Sequence, residues 1–280
     1  MRSRSAAWLA ACVLTAAASA PVFAETLLER GRYLVNSIVA CGNCHTPQGA
    51  NGPLAGMELA GGTKFEEPPF TAYAPNITRD KETGIGRWRD PQIIAAIRDG
   101  RRPDGTVIGP PMPIGMYRGI SDNDVKAIVA YVKSVTSVMH KVEKSEYRMP
   151  LPKSYGPKVK DIPYVPKTNK LAYGRYLAGP LGHCVECHTP MGEGGRRDFA
   201  NRLGAGGFEI HGPWGASVST NITPTGIGRY SDAQLKTMIT QGVRPDGSRL
   251  KPPMAVSYYA RMSDADLDAL VAYLRSLPGR

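Results

Sequence analysis

The sequence predicts a mainly α-helical fold, built as a tandem duplication of two domains of similar size. The first observation is an internal repeat, in which short tracts recur in the same order about 143 positions later. The second is an amphipathic helix pattern at the end of each copy, and the third is a segment rich in proline and lysine between the copies. Repeated tracts include Gly31-Arg32-Tyr33-Leu34 with Gly174-Arg175-Tyr176-Leu177, Arg102-Pro103-Asp104-Gly105 with Arg244-Pro245-Asp246-Gly247, and Ser121-Asp122-Asn123-Asp124 with Ser263-Asp264-Ala265-Asp266.

The first element, residues 1–24, is typical of a signal peptide. Two arginines precede an apolar stretch, and Val22-Phe23-Ala24 supplies the small residues of a cleavage site. The apolar stretch is too short to span a membrane as a helix. Leu9-Ala10-Ala11-Cys12 also matches a bacterial lipoprotein box. We favour cleavage after Ala24, because cleavage before Cys12 would leave an apolar stretch on the mature chain. The sequence thus predicts a protein exported to a bacterial periplasm.

Both domains are expected to consist largely of helices. Apolar residues indicate a first helix around 27–38 and its copy around 171–177. The closing helices carry apolar side chains at i, i+3, i+4 and i+7, starting at Val125 and at Leu267. Each follows a Ser-x-x-Asp start, whose serine can cap the free N–H groups of the first turn and whose aspartate favours the positive helix end. Shorter helices are expected at 90–98 and 232–241, and the glycine-rich stretches 48–62 and 191–207 are expected to be loops.

Residues 138–167 are predicted to be a linker between a first domain at 25–137 and a second at 168–280. The segment contains five prolines and six lysines and shows no apolar period. Prolines at this spacing favour an extended, semi-rigid strap. We expect the lysines of this strap to be solvated, with a docking surface as the alternative.

The cysteines indicate a cofactor. Cys12 leaves with the signal peptide, and the other four form two copies of one motif: Cys41-Gly42-Asn43-Cys44-His45 and Cys184-Val185-Glu186-Cys187-His188. C-x-x-C-H is the attachment motif of c-type haem, in which two thiols form thioethers with the porphyrin and the histidine binds the iron. The sequence therefore predicts two covalently bound haem c groups, whose iron atoms are bound by His45 and His188.

Three alternatives explain the cysteines less well. A zinc ribbon brings its two C-x-x-C pairs within roughly 15–20 residues, whereas Cys44 and Cys184 are 140 positions apart. A thioredoxin-like pair belongs near a βαβ pattern, which this sequence lacks, and needs no following histidine. Two plain disulfides would not require a histidine at the same place in both copies.

Beyond the haem motifs, four repeated tracts resemble the class I cytochrome c family. They are Asn-Ile-Thr at 76–78 and 221–223, Gly-Ile-Gly-Arg followed by an aromatic residue at 84–88 and 226–230, Pro-Asp-Gly, and Pro-x-Met. More narrowly, the sequence is similar to the multihaem cytochrome subunits of bacterial membrane-bound alcohol, aldehyde and gluconate dehydrogenases. The resemblance covers both domains and implies a class I cytochrome c fold in each. Those subunits usually bear three haems and often a C-terminal membrane-associating segment, whereas this sequence has two motifs.

The sixth iron ligand distinguishes an electron carrier from an enzyme. Met112 and Met254 lie 67 and 66 residues after the motif histidines, each in a Pro-Pro-Met loop. Met116 is the main rival in the first domain, but its counterpart is Tyr258. A methionine thioether raises the reduction potential of haem iron, and a sixth protein ligand closes the iron to substrates. We therefore predict Met112 and Met254 as the distal iron ligands.

Further contacts to haem propionates are implied by the family resemblance alone. The side chains concerned are Arg87 with Trp88, and Arg229 with Tyr230. Asn76 and Asn221 would do likewise or would only shape a turn. Gly31 with Tyr131, and Gly174 with Tyr273, would suit the helix crossing of cytochromes c. His183 has no match in the first domain and is expected to be a solvated residue at the haem rim.

Two functions of different class follow from these features. In the first, the protein is not an enzyme but an electron carrier or an electron-transfer subunit, which passes single electrons from a dehydrogenase to a cytochrome or terminal oxidase of the respiratory chain. In the second, it is a dihaem redox enzyme of the peroxidase or thiosulfate dehydrogenase type, which needs an accessible iron. The matched Pro-Pro-Met loops favour the first.

Composition and charge limit the class of partner that the protein can bind. The 280 residues include 42% apolar and 21% charged side chains, which excludes a disordered chain. The net charge of +11 comes without any nucleic-acid recognition motif, and export also argues against nucleic acid as a partner. We expect redox proteins as partners, and any association with a membrane to be peripheral and to run through such a partner.

Overall fold

The computed structural model describes residues 25–49, 52–212 and 214–280. The signal peptide and Cys12 predicted in residues 1–24 lie outside the described residues. Two domains are joined by an extended segment, and each helix of the first has a counterpart in the same order in the second, which adds a short helix at Pro224–Ile227. Among the helices of the described ranges, none combines the length and apolar character that a bilayer span requires.

The first domain begins and ends with helices that cross each other. In helix α1 (Leu27–Asn36), the side chains of Thr26 and Glu29 form a capping box at the N-terminus. The closing helix, Asp122–Ser134, begins at Ser121, whose Oγ accepts a hydrogen bond of 3.1 Å from the amide of Asp124. This confirms the predicted serine cap. The elements after α1 are α2 (Cys41–His45), β1 (Gln48–Gly49), β2 (Gly52–Pro53), β3 (Lys64–Glu67), β4 (Phe70–Tyr73), α3 (Asp90–Asp99), α4 (Ile114–Tyr117) and α5 (Asp122–Ser134).

The second domain repeats this plan with a distorted first helix. Helix α6 covers only Lys170–Tyr176 and continues as a π-helical turn, Leu177–Leu181, that contains Pro180. Proline has no N–H to donate, which disfavours the regular helical ladder at this point. The elements after the linker strand β5 (Glu146–Tyr147) are α6, α7 (Cys184–Cys187), a 3₁₀ turn (Glu193–Gly195), β6 (Glu209–Gly212), β7 (Gly215–Val218), α8 (Pro224–Ile227), α9 (Asp232–Gln241), α10 (Val256–Tyr259) and α11 (Asp264–Ser276).

A glycine at each helix crossing lets the backbones touch. A Cβ atom at Gly31 would lie 2.6 Å from the carbonyl carbon of Ala127 in α5, and one at Gly174 would lie 2.8 Å from that of Ala269 in α11. Both distances are far shorter than the 3.5–4.0 Å of ordinary carbon contacts, so only glycine fits. The predicted crossing of first and last helices is therefore confirmed in both domains.

Short antiparallel strands, which the sequence does not predict, accompany the helices. Strands β3 and β4 form a hairpin in the first domain, and β6 and β7 form its counterpart in the second. Strand β4 alternates buried and partly buried residues, so one face of this hairpin covers the core. Each hairpin has only four residues per strand, a length at which alternation is a weak sequence signal.

The linker is extended and lies along the first domain. Strand β5 pairs with β4. Further on, the Tyr155 hydroxyl donates to the carbonyl of Ile108 at 2.8 Å, and the amide of Val159 donates to the carboxylate of Asp99 at 2.9 Å. The amide of Asp122, at the start of α5, donates to the carbonyl of Ile162 at 2.9 Å. The strap is thus tied to one domain over most of its length.

The two domains share a continuous apolar core, since one cluster of buried side chains includes members from both. Helix α4 packs against the π-helical turn, where a Cβ at Gly119 would lie 2.8 Å from Pro180. On the same interface, a Cβ at Gly182 would lie 2.7 Å from Cδ1 of Ile38. Both glycines permit a close approach between the domains.

Candidate haem sites

Helices α2 and α7 hold the cysteine pairs in matching geometry. The residue before each helix has a left-handed backbone: φ is 50° at Ala40 and 39° at His183. Non-glycine residues rarely adopt this conformation, and they do so mostly where the surrounding structure requires it. Within one helical turn, side chains three positions apart lie on the same face, so the two thiols of each pair point to the same side. All four motif cysteines are free thiols.

The motif histidines are held by backbone carbonyls. Nδ1 of His45 donates to the carbonyl of Pro75 at 2.8 Å, and Nδ1 of His188 donates to that of Thr220 at 2.6 Å. A hydrogen on Nδ1 makes Nε2 the basic nitrogen that can bind a metal. Burial lowers the pKa of both histidines, which keeps the imidazoles neutral near pH 7. Each ring is thus set up as a metal ligand through Nε2.

These two acceptors cannot be identified from the sequence, for a physical reason. A backbone carbonyl can come from any residue type, and the two positions are occupied by proline and by threonine. The available signal was positional, because both precede the repeated Asn-Ile-Thr tract.

The glycine-rich stretches 48–62 and 191–207, expected to be loops, contain the short strands β1 and β2 and a 3₁₀ turn, and their last residues contact the motif histidines. The amides of Gly61 and Gly206 donate to the carbonyls of His45 and His188 at 2.7 and 2.8 Å. The φ angles of these glycines are +78° and +75°, and a Cβ at Gly61 would lie 2.5 Å from the backbone nitrogen of Asn76. Glycine is therefore required where the loop passes between the histidine and its carbonyl acceptor.

The environment of the thiols is not that of a reactive dithiol. Burial raises the pKa of Cys41, Cys44 and Cys184 to about 12 and that of Cys187 to about 11. Redox-active C-x-x-C pairs instead have a thiol with a lowered pKa. In the described ranges, no three side chains of the Cys, His, Asp or Glu type converge to hold a metal ion.

The two Pro-Pro-Met loops have the same conformation. The Pro110–Pro111 and Pro252–Pro253 peptide bonds are both cis. Met112 and Met254 are partly buried and pack against the apolar core. The carbonyl of each methionine accepts a 2.8 Å hydrogen bond from the amide two residues further on. Met116 is also partly buried, so burial does not separate it from Met112 as a candidate ligand. Only the repeat separates them, because Met116 has no methionine counterpart in the second domain.

The other predicted haem contacts have varied surroundings. Oδ1 of Asn76 accepts from the amide of Thr78 at 2.9 Å, and Oδ1 of Asn221 accepts from that of Thr223 at 2.8 Å. Their Nδ2 groups donate to backbone carbonyls at 2.8 and 2.7 Å. Both asparagines thus shape a turn, which is the alternative role stated above. Trp88 is partly buried against the core, whereas Arg229 is exposed and stacks on its neighbour Tyr230. Propionate contacts for these four residues stay a prediction.

Both haem motifs lie at the interface between the domains. The Cys187 thiol of the second domain adds to the raised pKa of Cys44. Two buried tyrosines at equivalent positions, Tyr117 and Tyr259, lie among these thiols. Nδ2 of Asn43 donates to the carbonyl of Pro253 at 3.1 Å, which joins the first motif to the second Pro-Pro-Met loop.

His183 differs from its expected position. It was expected to be a solvated residue, but its ring packs edge-on against Tyr117 of the other domain, with the ring centres 5.9 Å apart. Burial lowers the pKa of His183 to about 4. The cause of the error is the domain interface, which covers a residue that a single domain would leave open.

Comparison with known proteins identifies the family of both domains. The sequence model of the family described as Cytochrome c matches the chain twice, over residues 28–136 and 172–278. The alcohol dehydrogenase (quinone) cytochrome c subunit of Gluconobacter oxydans is 32% identical, over 91% of this chain and 55% of the relative. The fructose dehydrogenase cytochrome subunit of Gluconobacter japonicus is 34% identical, over 90% and 53%. A diheme cytochrome c-type protein of Cereibacter sphaeroides is 28% identical, over 85% and 82%.

The chain spans about half the length of the dehydrogenase subunits that it matches. The donor set described above fits haem c in both domains, because each offers two free thiols on one helical face and a histidine whose Nε2 is available. With both halves matched by the family, the chain belongs to the cytochrome c family and binds two haem c groups covalently.

Proposed function

We propose that this protein is a dihaem electron carrier of the bacterial periplasm. It passes single electrons from a dehydrogenase partner to a cytochrome or oxidase of the respiratory chain. The observation that carries the proposal is that both haem motifs take part in contacts across the domain interface: Nδ2 of Asn43 donates to the carbonyl of Pro253 at 3.1 Å, and the ring of His183 packs against Tyr117. Haem groups attached to these motifs would lie near the interface, which favours electron transfer from one domain to the other.

The roles of individual residues are assigned from the motifs and from the repeated Pro-Pro-Met loops. The cysteine pairs 41/44 and 184/187 would attach the porphyrins, and His45 and His188 would bind iron through Nε2. Met112 and Met254 would supply the second protein ligand of each iron. Bound haem contributes reversible one-electron chemistry. The protein holds each imidazole on a backbone carbonyl, so that ring orientation and tautomer are fixed before any electron arrives.

The electron donor is inferred from the relatives. The relatives named above include cytochrome subunits of alcohol and fructose dehydrogenases, and a gluconate 2-dehydrogenase cytochrome c subunit of Pantoea cypripedii is 31% identical. A dehydrogenase is therefore the partner class that we assign to this chain. The net charge of +11 and the exposed linker lysines, such as Lys158 and Lys160, suit an acidic surface on such a partner.

The periplasm is the compartment that the predicted signal peptide indicates. Any membrane association would be peripheral and would come through the dehydrogenase. Ordinary cleavage after Ala24 agrees with both, whereas a lipid on Cys12 would anchor the chain directly.

Optical spectroscopy with an added small iron ligand tests the carrier function. Purified holoprotein is titrated with reductant, with and without imidazole or carbon monoxide, and is assayed with hydrogen peroxide and with thiosulfate. We expect reversible uptake of two electrons per chain, unchanged spectra with either ligand, and no turnover of either substrate. Ready ligand binding at both irons would refute the closed electron carrier and favour the dihaem enzyme, and turnover of either substrate would establish that enzyme.

A further inference from the structure

Two tyrosines of the repeated Gly-Arg-Tyr-Leu tract cross between the domains. The Tyr33 hydroxyl, in the first domain, donates to Oδ2 of Asp266 in the second at 2.7 Å. The Tyr176 hydroxyl, in the second domain, donates to Oδ2 of Asp124 in the first at 2.8 Å. The two tyrosines occupy equivalent positions in the repeat, and so do the two aspartates. The domains thus exchange the same hydrogen bond in both directions.

Each hydroxyl also accepts a hydrogen bond from the backbone of the other domain. The amide of Ser263 donates to the Tyr33 hydroxyl at 3.0 Å, and the amide of Ser121 donates to the Tyr176 hydroxyl at 3.0 Å. These serines are the N-caps of the closing helices α11 and α5. Every tyrosine hydroxyl therefore binds both the cap residue and the aspartate three positions later.

Both aspartates are shielded from solvent, and the pair Tyr176–Asp124 is buried as a whole, whereas Tyr33 is partly exposed. Asp124 and Asp266 are 2% and 0% exposed, and Tyr176 is 5% exposed. Arg30 pairs with Asp124 at 2.8 Å, and Lys167 of the linker pairs with Asp266 at 3.3 Å, so each buried carboxylate has a counter-charge. Burial raises the pKa of Tyr33 and Tyr176, which keeps both hydroxyls protonated as donors. Hydrogen bonds to a charged group with so little water access are among the stronger ones.

The repeated Gly-Arg-Tyr-Leu tract therefore has two separate structural roles. Gly31 lets α1 cross α5 within its own domain. Tyr33 lies two positions later, and residues i and i+2 of a helix do not share a face. Packing of the single domain explains the glycine but leaves the tyrosine unexplained, because the partners of the tyrosine belong to the other domain.

We propose that the reciprocal pairs Tyr33–Asp266 and Tyr176–Asp124 form an interdomain lock that sets the spacing of the two haem sites. Helix α1 leads directly into the first haem motif, and α6 leads through the π-helical turn into the second. Fixing both helices on the other domain's closing helix holds the two motifs at one separation and one orientation. These residues act as positioning residues for electron transfer between the haems, and this role rests on the proposed function.

The test is a double variant, Tyr33→Phe with Tyr176→Phe, in full-length holoprotein. Phenylalanine keeps the ring and removes only the hydroxyl. Tyr131→Phe is the matched control, because the Tyr131 hydroxyl donates to Glu58 of the same domain at 3.1 Å. One readout is hydrogen exchange at the amides of Ser121 and Ser263. The other is the rate at which an electron delivered by pulse radiolysis redistributes between the haems, with both haem potentials measured in parallel.

We expect exchange at the buried Ser121 amide to rise roughly ten- to a hundredfold, as the loss of one charge-assisted hydrogen bond implies. The rise at Ser263 should be smaller, because this residue is exposed. Electron redistribution should slow while both potentials stay at their wild-type values, since the iron ligands are untouched. The Tyr131 control should leave both amides and the redistribution rate unchanged.

Other outcomes separate the lock from the proposed function. Exchange and redistribution rates equal to those of the control would overturn the lock. If wild-type protein shows no redistribution between the haems, the carrier function fails, while the exchange measurement still tests the lock. Should the double variant fail to fold, each single variant tests one half. Tyr176→Phe should then accelerate exchange at Ser121 alone, and Tyr33→Phe at Ser263 alone. Acceleration at both amides, or at neither, would overturn the reciprocal arrangement.

Discussion

Replacing Gly31 by alanine should destabilise the first domain strongly, because α1 and α5 touch at this residue. The added Cβ would lie 2.6 Å from the carbonyl carbon of Ala127 and 2.9 Å from Cβ of Tyr131, and the carbonyl oxygen of Ala127 is closer still. Alanine has no rotamer that avoids these atoms. The clash can be relieved only by moving one helix away from the other.

The size of the effect follows from these distances. Carbon atoms in ordinary contact are about 3.5–4.0 Å apart, so the helices must separate by roughly 1 Å. Overpacking of a well-packed core costs about 1–3 kcal/mol, and we expect the upper end of this range because the atoms that clash belong to the backbone. At about 4–8 °C per kcal/mol for a domain of this size, the transition of the first domain should fall by roughly 10–20 °C.

Thermal unfolding of full-length holoprotein, followed by circular dichroism at a helical wavelength, measures this shift. Gly115→Ala in α4 is the matched control, because no atom lies within 4 Å of its added Cβ. Alanine is also a better helix former than glycine by roughly 1 kcal/mol, so the control should melt at or above the wild-type temperature. If Gly31→Ala melts together with this control, the helix crossing does not require a glycine and the packing argument is refuted.

Four further results are expected. Denatured protein should retain two haems per chain after acid–acetone extraction, and extractable haem or a single haem would contradict covalent attachment at both motifs. Met254→Ala should lower the potential of the second haem and let imidazole bind its iron, as followed by optical titration, while the Met112 site keeps its wild-type spectrum. The rate of reduction by a partner dehydrogenase should fall as salt concentration rises, because the electrostatic screening length is only about 8 Å near physiological ionic strength. Replacing Lys158 and Lys160 by glutamine should lower both this rate and its salt dependence. A rate that does not change with salt concentration would indicate a permanent complex. Burial raises the pKa of Glu186 to about 7, above its ordinary value of 4.5. The stability of the second domain should therefore fall as pH rises from 4.5 to about 7 and level off above it, and denaturant titrations of Glu186→Gln should lack this fall.

Features that depend on local side-chain patterns were predictable from the sequence. The closing helices appear at Asp122–Ser134 and Asp264–Ser276, each capped by the expected serine. Helix α9 spans the expected residues 232–241, and α3 extends one residue beyond its expected end. These elements depend on local periodicity and capping, which a short window of sequence contains.

Features that depend on distant or backbone partners were not predictable. The carbonyls of Pro75 and Thr220 orient the motif histidines, yet a carbonyl places no demand on the residue type. Tyr33 meets its acceptor 233 positions away, across the domain interface. The sequence shows that this tyrosine is repeated, but it does not show that its partner lies in the other domain. The packing of one domain on the other determines which exposed positions become contacts.

The linker's attachment to the first domain bears on how the two halves can be separated. The amide that opens α5, that of Asp122, is bound by the carbonyl of Ile162, and Val159 is bound by Asp99. A fragment that stops where the repeat unit ends, at residue 137, would discard these bonds and expose the surface that the strap covers. During synthesis, likewise, the amino-terminal half lacks the contacts that the strap makes with it until residue 162 has emerged. Gene fragments for expression of this half should therefore be cut after residue 162.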